Sequence, residues 1–239
     1  MKFNDAQFAR DYEERMSAEG YPGSLLETVA RELDGLERVI DIGAGTGLFA
    51  IPLARAGHLV TAIEPSREMT AIMQEKMDDD ASRRIGIHRC SWEEWRGWQH
   101  DAVLCAHSIY GMTDAKRSLE KMKALAGKTV LLVRDDAASV TLSGIIKSHL
   151  GINRCAKDFP GNVTSALETL GIRYRAVKLT QERISTFSDI SAETAYYARH
   201  TGAGDVSRGL IEELLAHHAV RDGAGFRFVN VYRDTMFLF

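Results

Sequence analysis

Apolar positions along this chain follow two periods, and the two alternate. Short apolar runs occupy Arg38–Ile42, Leu59–Ile63, Ile85–Arg89, Ala102–Ala106 and Thr129–Val133. Between them lie segments with helical spacing: Leu48–Ala56, Ser66–Met77, and Asp114 to Ala126. Runs of four to eight apolar residues bounded by turn residues read as buried strands, and an i, i+3, i+4 pattern reads as helix. Ser66 is placed to cap a helix start, and Gly57 and Gly127 to end helices. Such alternation predicts a parallel sheet with helices on both faces.

The flanks differ. Phe8, Tyr12 and Met16 recur at i+4 and predict a first helix. Tyr21-Pro22-Gly23 breaks it, and Ser24 is placed to cap a second helix through Leu36. After the fifth strand, Val163–Leu170, Ser188–His200 and Val206–His218 read as helices, while Tyr174–Gln181 and Phe226–Phe239 alternate like strands. The expectation is one α/β domain over 1–239, with a doubly wound, mostly parallel seven-stranded sheet and an antiparallel late strand. Residues 1–36 are expected to form an N-terminal helical lid, and 138–161 and 182–225 cap insertions.

The stretch Val39-Ile40-Asp41-Ile42-Gly43-Ala44-Gly45-Thr46-Gly47-Leu48 changes the picture from fold to chemistry. A strand enters three alternate glycines and then a helix. Glycines allow a tight turn and close approach of a ligand to backbone, and a helix start offers unpaired N–H groups. Ligands of such sheets bind beyond the carboxyl ends of the strands. A dinucleotide fingerprint requires a small residue at its sixth position, where this chain has Leu48. Asp41 would repel a pyrophosphate but attract an ammonium group. Glu64 stands 21 residues after Gly43, at the end of the second strand, where an acid can take both ribose hydroxyls.

The pattern D-x-G-x-G-x-G with that acid resembles the class I S-adenosylmethionine-dependent methyltransferases, over roughly residues 38 to 134. The resemblance implies a Rossmann-like fold, S-adenosyl-L-methionine as methyl donor and S-adenosyl-L-homocysteine as product. It implies a cofactor site of Asp41, Gly43, Ala44, Gly45, Gly47, Glu64 and Pro65, with Ala106 at the fourth strand end beside the methionine portion. Ser91 and Trp92 fall where the family meets adenine, through a side chain and a backbone N–H. Ser91 replaces the frequent Asp, and the Trp92 ring could stack on the purine. Tyr12 resembles the tyrosine that closes over the cofactor from an N-terminal helix. Trp92, Trp95 and Trp98 could instead be one helical turn packed on the sheet.

His107 and Tyr110 follow the fourth strand, on the family's acceptor side. Tyr110 could orient a nucleophile and His107 take its proton; equally, His107 reads as a hydrogen-bonded structural histidine. Methyl transfer from a sulfonium needs chiefly alignment and exclusion of water, so the fold does not name the acceptor.

Composition narrows the partners. Net charge is −3 with 26% charged residues, and no basic stripe is present, so a small-molecule acceptor is expected rather than nucleic acid. No apolar run approaches a membrane span, Met1–Arg10 does not read as a signal peptide, and a reducing cytoplasm is expected. Cys90, Cys105 and Cys155 show neither disulfide nor zinc spacing, and no metal is expected. Two other readings stay open. One is a nicotinamide- or flavin-dependent oxidoreductase, against which Leu48 and Asp41 argue. The other is a non-catalytic S-adenosylmethionine-binding module.

Overall fold

The computed structural model describes residues 2–152, 158–201 and 207–239. Cys155 and Val206 lie outside the described residues. The chain divides into two compact units: the first comprises Met1–Arg134, Phe159–Leu179 and Asp234–Phe239, the second Asp135–Asp158 and Thr180–Arg233.

In the first unit, β1 (Arg38–Ile42), β2 (Leu59–Ile63), β3 (Ile85–His88), β4 (His100–Ala106) and β5 (Ala126–Arg134) form a parallel sheet. The last strand, β8 (Gly225–Leu238), runs antiparallel against β5, with Val130 opposite Leu238 and Arg134 opposite Asp234. With β6 (Arg175–Phe187) the strand order is β3-β2-β1-β4-β5-β8-β6. An eighth strand, β7 (Val220–Asp222), pairs with β8. This is the Rossmann-like sheet expected, with one strand more than the seven predicted.

Alternation along the strands sends neighbouring side chains to opposite faces. Val39, Val60, Ala62, Ala102, Leu104, Val130 and Leu132 face one core, covered by α2 (Ser24–Leu33), α3 (Ala50–Arg55) and α5 (Asp79–Arg84). Ile40, Ile42, Ile63, Val103, Cys105, Leu131 and Val133 face the other, covered by α6 (Ala115–Leu125) and α8 (Phe159–Thr169). The first helix, α1 (Ala6–Ala18), packs Ala9 and Tyr12 against Met69 and Ile72 of α4 (Arg67–Lys76).

In the second unit, α7 (Leu142–His149), α9 (Ile190–Thr201) and α10 (Arg208–His218) share a core of Leu142, Ile146, Tyr197, Ile211 and Leu215. Asn230 ties α7 to the strands: its Oδ1 accepts from Leu142 N at 3.0 Å and its Nδ2 donates to Ser185 Oγ at 2.7 Å.

Several local expectations shift. Gly127 does not end α6 but lies inside β5, because Ala126 already pairs with His100 of β4. The helix after the glycines starts at Ala50 rather than Leu48, since positive φ at Gly43, Gly45 and Gly47 prolongs the turn. Asp78 is an N-cap, accepting from Ala81 N at 2.9 Å, and starts a short helix, α5, that the apolar pattern does not predict. Gly23, not the Ser24 side chain, precedes α2, which stops at Leu33.

Candidate functional site

The glycine turn is held by its neighbours. Gly43 N and Ala44 N both donate to Ile63 O of β2, at 2.8 and 3.2 Å. A Cβ on Gly43 would stand 2.3 Å from Ser108 Cβ, and one on Gly47 2.7 Å from Met73 Cγ. These two glycines serve packing, of the turn on the β4 tip and on α4. Gly45 is different: a Cβ there would meet nothing closer than Gly43 O at 3.9 Å. The middle glycine faces open space.

Asp41 is buried at 2% exposure, and its Oδ2 has no hydrogen-bond partner. Burial first, and the Glu64 charge second, push its carboxyl up to about 7. An orphaned buried carboxylate is costly unless something pairs with it. Glu64 closes on the turn: Oε2 accepts from Gly45 N at 3.0 Å and Oε1 from Ser66 N at 2.8 Å. Burial raises its pKa, opposed by those two N–H bonds. Pro65 lies exposed beside it, and Ser66 caps α4 by accepting from Met69 N at 3.2 Å.

The N-terminal helix reaches the same turn. Lys76 Nζ donates to Glu13 Oε1 at 2.5 Å and to Thr46 O at 3.3 Å. Tyr12 packs edge-on to Phe3 at 5.8 Å, against α4. The structure therefore places Tyr12 on the helix latched to the glycine turn.

At the third strand end, Ser91 and Glu94 form a reciprocal cap. Ser91 N and Oγ donate to Glu94 Oε2 at 3.0 and 2.8 Å, and Glu94 N donates to Ser91 Oγ at 3.2 Å. Trp92 is 3% exposed, stacked on Trp95 at 5.7 Å, with Nε1 donating to Ser118 O at 3.4 Å. The expectation that this ring stacks on a purine is not met, because both the ring and its N–H are spent in the core. Trp98 leaves the trio and is exposed, so the three tryptophans are not one packed helical turn.

Ala106 ends β4 opposite Leu132. His107 follows with φ +55°, the sole non-glycine residue at positive φ among those described. Its Nδ1 lies 3.1 Å from the Tyr21 hydroxyl and its Nε2 2.9 Å from Asp234 Oδ1. Asp234 Oδ1 also accepts from Arg134 Nε at 2.6 Å. Burial raises the Asp234 carboxyl, but the bonds and charges of His107 and Arg134 outweigh it and leave its pKa below the ordinary value. The Tyr110 hydroxyl accepts from Arg134 N at 2.5 Å, and its ring packs on Phe159 at 4.5 Å. Cys105 is fully buried and its thiol is pushed up to about 12 by burial, so it is no nucleophile.

Four residues that sequence reasoning missed belong here: Tyr21, Thr46, Ser108 and Asp234. Thr46 sits inside the glycine motif and could have been read from it; it is 1% exposed with Oγ1 unpartnered. Tyr21 and Asp234 lie 86 and 127 residues from His107 and left no local signal. Among the described residues, no group of three His, Cys, Asp or Glu side chains could hold a metal, and no helix is long and apolar enough to cross a membrane.

Comparison with known proteins bears on the family and the fold. A family described as methyltransferase domain matches residues 39–128. An uncharacterized protein of Haemophilus influenzae is 32% identical over 116 residues, 47% of this chain and 41% of that one. An uncharacterized methyltransferase of Bacillus licheniformis is 32% identical over 79 residues, 33% of this chain and 36% of that one. The matched segments thus span less than half of these curated relatives' own length. Among solved structures, a SAM-dependent methyltransferase from Aquifex aeolicus superposes with a TM-score of 0.56 at 18% identity, covering 72% of this chain and 92% of that one. That likeness concerns the fold.

Proposed function

We propose that this chain, which matches a methyltransferase-domain family over residues 39–128, transfers the methyl group of S-adenosyl-L-methionine to a small-molecule acceptor by in-line displacement. The observation that carries this reading is the pairing of a buried, unpartnered Asp41 carboxylate with a middle glycine that faces open space. A carboxylate at that depth calls for a cation, and the bare Gly45 backbone admits a ligand where a side chain would block it. The residues present therefore fit the methyl donor: Asp41 would meet its ammonium group, and Gly43, Ala44, Gly45 and Gly47 would line its amino-acid portion. Glu64 would take the ribose hydroxyls from the tip of β2, Pro65 would flank it, and Ala106 would lie beside the methionine part. Ser91 and the Trp92 backbone would border the adenine, and Tyr12 would cover it from α1.

When bound, that donor supplies a methyl already activated by its sulfonium. The chain's own task is to bind, to orient and to exclude water. His107, fixed between two partners at the end of β4, would hold the acceptor's proton, taken directly or through a hydrogen-bond partner, and Tyr110, on the turn after it, would help to orient that acceptor. We place the reaction in the cytoplasm.

The test is calorimetric titration of the full chain with S-adenosyl-L-methionine and, separately, NADH. Binding of the former alone supports the reading; binding of NADH alone overturns it. Transfer of labelled methyl to small molecules then separates an enzyme from a binding module.

A further inference from the structure

We propose that Tyr21, not His107, is the group that receives the acceptor's proton, as the outer end of a Tyr21–His107–Asp234 relay, and that the acceptor is therefore a neutral hydroxyl compound. The proposal rests on the methyl-transfer reading above and goes beyond it in naming the proton's route and the acceptor's chemistry.

The direction of each bond follows from the groups themselves. An ionised carboxylate can only accept, so at 2.9 Å from Asp234 Oδ1 the His107 Nε2 must carry a hydrogen. Arg134 Nε, 2.6 Å from the same oxygen, keeps that carboxylate anionic and in place. In the neutral form that a base requires, the imidazole carries its one hydrogen on Nε2 and presents a lone pair on Nδ1. The atom facing Nδ1 is the Tyr21 hydroxyl at 3.1 Å, so the phenol donates. The basic atom of His107 is thereby already engaged, and a proton from outside reaches it through the Tyr21 oxygen.

The backbone shows that this arrangement is imposed. His107 adopts φ +55°, which a residue with a Cβ rarely tolerates. Such strain persists only where the surroundings over-determine it, and it gathers at functional positions. Here His107 N donates to Leu132 O at 3.0 Å, and the next residue, Ser108, donates to Ile42 O at 2.5 Å beneath Gly43. The place is also right. The Tyr21 ring stands edge-on to Phe49, the last residue of the glycine turn, at 5.9 Å. Tyr21 thus joins the turn, through its ring, to the β4 tip, through its hydroxyl, and both belong to the proposed donor site.

The step balances. The acceptor oxygen forms a bond to the methyl carbon while the carbon–sulfur bond breaks, its electron pair staying on sulfur. The acceptor's proton passes to the Tyr21 oxygen as the Tyr21 proton passes to His107 Nδ1. The resulting imidazolium faces Asp234, which is already an anion, so the charge forms against its partner. A neutral amine or a preformed anion attacks without such a base, which is why the relay points to an O–H acceptor. Tyr21 would be the catalytic residue; His107 and Asp234 position it and hold its proton.

Two measurements decide it on the full-length chain. Histidine nitrogen-15 spectra need no acceptor. His107, assigned by its loss in His107→Gln, should show the Nε2–H tautomer, and its Nδ1 resonance should move in Tyr21→Phe. An Nδ1–H tautomer, or no change in Tyr21→Phe, overturns the relay. The second measurement follows labelled methyl from S-adenosyl-L-methionine into the small-molecule fraction of a bacterial extract. Tyr21→Phe, which keeps the ring on Phe49, should lose on the order of 100-fold in rate with unchanged donor affinity, and the label should sit on oxygen. Undiminished transfer, label only on nitrogen or sulfur, or a protein that binds the donor but moves no label overturns the proposal. Failure to bind the donor at all overturns the preceding reading instead, and the tautomer still decides the relay.

Discussion

The Glu64 carboxylate reaches across from the tip of β2 and accepts from the Gly45 amide of the neighbouring turn at 3.0 Å. The same side chain takes Ser66 N at 2.8 Å, so one acid braces the turn and the start of the next helix. Its loss leaves two N–H groups without their acceptor, and a bond to a charged group contributes about 1.5–3 kcal/mol. Glu64→Ala is therefore expected to lower the melting temperature and also to weaken S-adenosyl-L-methionine by up to a few kcal/mol. Thermal unfolding and calorimetric titration on the same samples separate the two effects. Unchanged donor affinity would remove Glu64 from the ribose.

Gly43 and Gly45 predict different phenotypes. Gly43→Ala puts a methyl 2.3 Å from Ser108 Cβ, so the β4 tip must move and the fold should lose stability. Overpacking of this kind typically costs about 1–3 kcal/mol. Gly45→Val meets no such wall, though its φ of +56° makes any side chain strained, at about 1–3 kcal/mol. Its side chain projects into the open space, so donor binding should vanish while the chain stays folded. Circular dichroism with titration checks both. A Gly45→Val protein that binds normally would count against the assigned turn.

Much of this was legible in the sequence, and the reasons differ by element. β1 and β2 lie where the apolar runs predict, because both are buried on both faces and end at Gly43 and Glu64, which no strand continues through. The glycine turn carries its own signature. Gly127 misled because its cap preference is weaker than the pairing of Ala126 with His100. The Trp92 ring misled because three tryptophans at equal spacing say nothing about which face the turn buries. The His107 environment was illegible for another reason. Tyr21 and Asp234 come to it from opposite ends of the chain, brought there by a strand order that local patterns do not encode. Tyr21 read as a helix breaker and Asp234 as one polar residue of an alternating strand.

The reading of Trp92 yields its own test. Lys121 Nζ donates to the Trp92 carbonyl and, at 2.7 Å, to the Trp95 carbonyl, and lies 4.1 Å from the Trp92 ring centroid. One ammonium thus holds the turn that follows β3. Lys121→Met keeps the stem but removes the donor, and should destabilise the chain by roughly 1.5–3 kcal/mol, the usual scale for charged hydrogen bonds. If the Ser91–Trp92 backbone borders adenine, donor affinity falls too, and the adenosine moiety alone should report it. Titration with adenosine, in wild type and variant, makes that comparison; equal affinities would leave the turn a purely structural feature.

Asp41 ties stability and binding to pH. Its folded carboxyl holds a proton to about pH 7, whereas an unfolded aspartate releases it near pH 4. Between those values the folded state binds more protons than the unfolded one, so stability falls as pH rises from about 4 to about 7. Three units correspond to roughly 4 kcal/mol as an upper limit. Glu64, also raised by burial, acts in the same direction. Asp41→Asn should flatten this slope, giving a melting temperature that exceeds wild type above pH 7 and matches it at pH 4. Donor binding should run the opposite way. An ammonium beside Asp41 favours the ionised form, so binding expels the proton below pH 7, and affinity should climb nearly tenfold per unit from pH 5 to 7 before levelling. Asp41→Asn should bind weakly and without that climb. Titrations in two buffers of different ionisation enthalpy count the released proton, and a pH-independent wild-type affinity would dissociate Asp41 from the ammonium.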